Sequence, residues 1–257
     1  MDVLCLLTGP HTGTKSLSVV LQNFTELSCQ RDIFASDGVA SVNSDDWPLL
    51  RQRTGVDFVE AKDFRLATFV QGQPGAWLDA VAEVAAFRGR RVTSFELVRN
   101  DLPAEIVEEQ ILGRTGVRAL LVVRKQIDSY VALRMAEEHA TGHDGPLTLD
   151  ADQFEAWLGA QERWYEHWKT YLARRFLPAP VLRYETDLDQ PADRVLKRFA
   201  GAAAQVGITL RPPATITHTG PAPTKPAALV ETVANWPAFS RELLARGIER
   251  RAFGYPL

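Results

Sequence analysis

Short apolar runs alternate with helical patterns along this chain, and that alternation restricts the fold. Runs at residues 3–7, 118–123 and 179–184 have strand length and strand content, residues 91–98 alternate like a strand, and residues 25–29 add a fifth, less apolar one. Helical spacing begins after Thr14, with Leu17, Val20 and Leu21 on one face, and recurs over 76–87, 104–112, 128–139, 154–172, 192–206 and 237–251. Strands separated by helices pair in parallel, because the crossover lies on the face of the sheet. The expected fold is therefore α/β, a three-layer α/β/α arrangement around a central parallel sheet. Residues 30–76 lack a clear period and carry turn signals such as Asp45-Asp46-Trp47-Pro48 and Gly72-Gln73-Pro74-Gly75. No boundary divides the chain, so residues 1–257 are expected to form a single domain, with the Pro- and Thr-rich stretch 209–228 as a loop or lid.

Composition narrows the function. The 257 residues are 46% apolar, enough for a filled core, and the net charge of −3 argues against a general nucleic-acid binder. The two cysteines, Cys5 and Cys29, suggest no disulfide framework, and Cys5 in the first apolar run reads as a buried thiol. No Cys/His cluster has zinc spacing, and no apolar run approaches the ~18 residues of a membrane span. The N-terminal apolar run is too short for a signal peptide and lacks a basic region before it, so a cytoplasmic location is expected. The stripe of Trp157, Trp164 and Trp168 has the spacing of core or dimer packing rather than of a sugar platform; a monomer or homodimer is expected.

The chemistry begins where the first strand meets its helix. Gly9-Pro10-His11-Thr12-Gly13-Thr14-Lys15-Ser16 is a loop of small residues that opens a helix. A helix N-terminus presents unpaired N–H groups and about half a positive charge, which together cradle an anion. Thr12, Thr14 and Ser16 add hydroxyls and Lys15 a full charge, so the expected ligand is a phosphate. A nucleotide kinase would show Gly-x-x-x-x-Gly-Lys-Ser/Thr. Gly9, Lys15 and Ser16 fit that pattern, but Thr14 stands where it needs its last glycine. The apolar run 119–123 ends in Arg124, where a magnesium-binding carboxylate would be wanted; a guanidinium there suits a second phosphate. Ser129, at the start of the next helix, offers that phosphate a hydroxyl.

Three segments resemble those of the sulfotransferases that use 3′-phosphoadenosine 5′-phosphosulfate (PAPS). Pro10-His11-Thr12-Gly13-Thr14 is similar to the family's first motif, Val122-Val123-Arg124 through Ser129 to its second, and Tyr184-Glu185-Thr186-Asp187-Leu188 to its Tyr-Glu-Asp-Leu segment. The three stand in family order across residues 1–200, and the bacterial carbohydrate-type branch is nearer than the animal cytosolic one. His11 replaces the family's Lys or Arg, Gln126 its proline, and Ser129 follows Arg124 by five residues where eight is usual; the residue eight along is Ala132.

The resemblance implies a P-loop NTPase-like sulfotransferase fold with PAPS as co-substrate and no metal. Thr12, Gly13, Thr14, Lys15 and Ser16 would hold the 5′-phosphosulfate, Arg124 and Ser129 the 3′-phosphate, and Tyr184 would lie near the adenine. Sulfuryl transfer is an in-line displacement whose charge cations and N–H donors can stabilise, for which Lys15 and His11 are candidates. Gln30-Arg31-Asp32-Ile33-Phe34 is similar to the branch's Gln-Glu-Phe-Phe segment and places Asp32 as general base; Glu96, inside an apolar strand, is the second candidate. The acceptor would be the hydroxyl of a small molecule or carbohydrate, touching residues 32–75 and 209–228. A P-loop kinase using ATP, or a non-catalytic nucleotide-binding protein of the same fold, remain the alternatives.

Overall fold

A computed structural model describes residues 1–35, 39, 42–142, 145–220 and 229–257. Its centre is a five-stranded sheet with the order β2-β3-β1-β4-β5. The strands are β1 (Asp2–Thr8), β2 (Leu27–Gln30), β3 (Val92–Val98), β4 (Val117–Val123) and β5 (Val181–Arg183), and every pairing is parallel. Thr8 is level with Val98 on one side and Val122 on the other, so β1, β3 and β4 end together. The chain leaves β1 toward one edge and reaches β4 on the opposite side. In such sheets a crevice opens at the strands' carboxyl ends.

Eleven α-helices appear among the described residues. They are α1 (Thr14–Leu21), α2 (Trp47–Thr54), α3 (Phe64–Gly72), α4 (Pro74–Phe87), α5 (Ala104–Ile106, continuing as a π-helical Val107–Leu112), α6 (Gln126–Ala140), α7 (Ala151–Arg174), α8 (Ala192–Gln205), α9 (Leu229–Thr232), α10 (Trp236–Ala245) and α11 (Glu249–Ala252). Alternate residues of β1 serve the two faces of the sheet. Val3, Cys5 and Leu7 join a core closed by α2 to α5 and the second half of α7. Leu4 and Leu6 join a core closed by α1 and α8, where Phe24 meets Phe199. These are the expected three layers. A third cluster packs α9, α10 and α11 against α6 and the start of α7, with Phe154 and Phe239 edge to face at 5.6 Å.

Two expectations about helices need correction. Residues 30–76, aperiodic in sequence, contain α2 and α3. Leu50 alone is buried in α2, and only Leu66 and Val70 in α3, too few for a readable stripe. The basic stretch expected as one helix over 237–251 is two, α10 and α11. Gly247 turns the chain at φ 67°, and Ile248 N–H bonds back to the Leu243 carbonyl at 3.0 Å, a glycine C-terminal stop.

The tryptophan stripe lies in packing. Trp168 is buried, and Trp157 and Trp164 lie half-buried against the two cores that α7 joins. Residues 209–220 form neither helix nor strand, and their last residues are tied to the end of α1. The buried Asn23 side chain accepts from the N–H groups of Thr217 (2.8 Å) and His218 (3.1 Å), and donates to the His218 carbonyl (2.7 Å). The rest of the stretch expected as a loop or lid, residues 221–228 with Lys225, lies outside the described residues.

Candidate active site

The loop after β1 is clamped from behind. Tyr165, fully buried on α7, accepts from the Gly9 N–H at 2.7 Å and donates to the Val122 carbonyl of β4 at 2.6 Å. A side chain at Gly9 would meet the buried Gln161 amide, which would have to shift to admit it. The carbonyls of Gly9, Pro10 and His11 are all occupied. Thr8 donates to the first at 3.0 Å, Ser129 to the second at 2.5 Å and the Arg124 guanidinium to the third at 3.0 Å. With its acceptors engaged by the protein, the loop offers its N–H groups. Gly13 caps α1 at φ 90° with no side-chain acceptor, so the N–H groups of Thr14, Lys15 and Ser16 lack intrahelical partners.

One cavity of about 380 Å³ collects most of the residues expected from sequence. Its lining includes His11, Gly13, Thr14, Lys15 and Ser16 from the loop, Asp32 after β2, Glu96 on β3, Arg124 after β4 and Tyr184 after β5. Those segments lie far apart in sequence and meet because the parallel strands end together. The Tyr184 ring packs over Gly13, and the Arg124 guanidinium lies 4.5 Å from the centre of that ring. Arg124 Nε is buried and has no hydrogen-bond partner among the described residues. Desolvation and the neighbouring Arg124 charge hold His11 below its ordinary range, against a pull from Glu137, so the imidazole is neutral at pH 7.

Two expected ligands stand elsewhere. The buried Thr12 hydroxyl pairs with Thr8 and reaches the Gly9 carbonyl at 3.3 Å, and Ser129 is spent on the Pro10 carbonyl. Both brace the loop, and neither lines the cavity, whereas Ala132, one turn beyond Ser129, does. The carboxylates of the third motif also act on backbone. Glu185 accepts from the Lys125 N–H at 2.9 Å, where α6 begins, and Asp187 from the Arg183 N–H at 2.8 Å. Gln126, standing where the family has proline, donates to Glu162 at 3.2 Å and to the Arg251 carbonyl at 3.1 Å, tying α6 to α7 and α11.

Sequence reasoning gave Arg31 no role, yet it lines the cavity and reaches both carboxyls, Asp32 at 3.1 Å and Glu96 at 3.6 Å. Its signal was its place between Gln30 and Asp32 in the quoted segment. Tyr165 appeared only as a member of the apolar stripe on α7; a phenol within such a stripe needs a polar partner, and that is the mark it carried. Three cations (Lys15, Arg31, Arg124) thus line one space with two carboxyls. That arrangement suits an anion held beside a proton acceptor.

No family model and no curated protein matches the chain. Several solved structures resemble it in outline. The sulfotransferase domain of the Synechococcus PCC 7002 olefin synthase is 15% identical, with a TM-score of 0.43 over 93% of this chain and 94% of that one. A sulfotransferase from Alicyclobacillus acidocaldarius is 13% identical, with a TM-score of 0.43 over 98% and 94%. A mouse sulfotransferase complexed with PAP is 14% identical, with a TM-score of 0.40 over 97% and 82%. At these scores the likeness is general, and the chemistry has to be read from the residues of the cavity.

Proposed function

We propose that the chain is a sulfotransferase that moves the sulfuryl group of PAPS to a hydroxyl of a small-molecule or carbohydrate acceptor. One observation carries the reading: the uncapped N-terminus of α1 and Arg124, with its orphaned Nε, face the same cavity. In this reading the two serve as separate anion sites, which a nucleotide with phosphate at both its 5′ and 3′ positions needs. In this reading the first-turn N–H groups, Thr14, Lys15 and Ser16 take the 5′-phosphosulfate, Arg124 takes the 3′-phosphate, and Tyr184 flanks the adenine. The chemistry fits these donors. Charge that builds on the leaving phosphate oxygen meets Lys15 and oriented N–H groups that need no reorganisation. The reacting hydroxyl would enter from the side of Asp32 and Glu96.

Incubation of the purified chain with PAPS and a panel of hydroxylated acceptors, with a chelator present, tests the reading. Acceptor-dependent release of the bisphosphate 3′-phosphoadenosine 5′-phosphate (PAP), unchanged by the chelator, is the expected result. Turnover of ATP alone, abolished by the chelator, would overturn it in favour of a kinase.

A further inference from the structure

We propose that Gln126 is a positioning residue for the Arg124 anion site: anchored to α7 and α11, it fixes the turn on which Arg124 stands and so sets the affinity for the second phosphate. Gln126 is the first residue of α6, two places after Arg124, and is 1% exposed. It is held at three points. Its N–H donates to the Gly254 carbonyl at 3.0 Å. Its side-chain Nε2 donates to Glu162 Oε1 at 3.2 Å and to the Arg251 carbonyl at 3.1 Å. Arg251 in turn grips the Glu162 carboxylate with its guanidinium fork, at 3.0 and 2.5 Å, so the two acceptors of the amide are themselves tied together.

Gln126 Oε1 is buried and has no partner among the described residues. Turning the amide over would set that oxygen against a carboxylate and a carbonyl, so its orientation is fixed. A buried acceptor without a donor costs desolvation free energy, which offsets much of what the two bonds of Nε2 contribute. The amide therefore adds little net stability, and what it supplies is direction.

That direction reaches the cavity through the backbone. Lys125, between Arg124 and Gln126, is extended at φ −51° and ψ 133°, and its N–H donates to Glu185 at 2.9 Å. Glu185 follows Tyr184, whose ring lies against the Arg124 guanidinium. The Lys125 carbonyl accepts from the Ser129 N–H at 3.0 Å, and the Ser129 hydroxyl holds the Pro10 carbonyl of the anion loop. The third motif secures the turn before α6, and residues 251–254 secure it after. A proline at this position would fix φ but remove the N–H that Gly254 receives. The glutamine fixes the same turn by bonds to distant parts of the chain. This role rests on the sulfotransferase reading only for the identity of the molecule that carries the second phosphate.

Heteronuclear NMR of the Arg124 Nε–H in the nucleotide-free chain, together with calorimetry of PAP and of adenosine 5′-phosphate, tests the role in Gln126→Leu. Leucine is close in volume and removes both side-chain bonds along with the orphaned oxygen. The denaturant midpoint is expected to stay near that of the parent. The Arg124 Nε–H signal, identified by its loss in Arg124→Ala, is expected to shift and to exchange faster with solvent. PAP affinity should fall about threefold to tenfold, the worth of one or two neutral hydrogen bonds, with adenosine 5′-phosphate staying within about twofold of the parent. Should the leucine variant fail to fold, Glu162→Ala, at a partly exposed position, is expected to give the same pattern at smaller size. An unmoved Arg124 signal, or equal losses for the two nucleotides, would overturn the positioning role. A parent chain that binds no PAP would end the nucleotide reading instead, and the Arg124 signal would still decide the role of Gln126.

Discussion

Gly13→Ala is expected to lose anion binding and to melt earlier than the parent chain. The added Cβ would stand 2.4 Å from two atoms of the Tyr184 ring, and the residue would sit at φ 90°. The backbone conformation alone costs about 1–2 kcal/mol for a residue with a Cβ. The clash costs more, because the Tyr184 ring cannot move without leaving the guanidinium of Arg124 that lies against it. The first turn of α1 therefore shifts, and its N–H groups lose their common focus. A fall of about 2–4 kcal/mol in unfolding free energy, with PAP affinity reduced more than about tenfold, is expected. Denaturant melts and calorimetry read both effects. An alanine variant that melts and binds like the parent would refute the close packing of Tyr184 on the loop.

Arg124→Ala separates binding from folding. Arg124 is half-buried, donates to the His11 carbonyl at 3.0 Å and keeps a buried Nε with no partner among the described residues. Charge-assisted bonds of a guanidinium to phosphate are among the strong ones, and losing such a clamp costs roughly 2–4 kcal/mol of ligand binding. PAP affinity should fall about 30- to 1000-fold. Stability should change by no more than about 1–2 kcal/mol, since one loop carbonyl loses its donor. Competition binding with PAP and with adenosine 5′-phosphate distinguishes the two anion sites. The variant should weaken the bisphosphate far more than the monophosphate, and equal losses on both would remove Arg124 from the 3′ site.

The fold was readable because the sequence repeats its signal. β1 and β4 are apolar runs with few polar interruptions, β3 alternates, and helices over 76–87, 154–172 and 192–206 follow a helical stripe, so the succession of strands and helices alone implied a parallel sheet. Short helices with one or two buried residues, such as α2, leave no such trace. The candidate site was legible where chemistry conflicts with its surroundings: a guanidinium at the end of β4, a carboxyl inside β3, a run of small residues opening a helix. Side-chain direction was not legible. Thr12 and Ser129 stand within the right segments, and their hydroxyls turn to the loop's own carbonyls. That choice depends on where each Cβ points after folding, which no local pattern encodes. Arg31 went unread for a related reason, since one of its partners, Glu96, lies on β3 and only the pairing of β2 with β3 brings it within reach.

The central claim is that this cavity takes a nucleotide carrying phosphate at both its 5′ and 3′ positions. Calorimetric titration of the intact chain with PAP, and separately with ATP and magnesium, tests it most directly. The account predicts saturable binding of PAP that does not require magnesium and that exceeds the affinity for ATP. Tighter binding of ATP with magnesium, with PAP weak or absent, would contradict it and return the anion loop to the kinases.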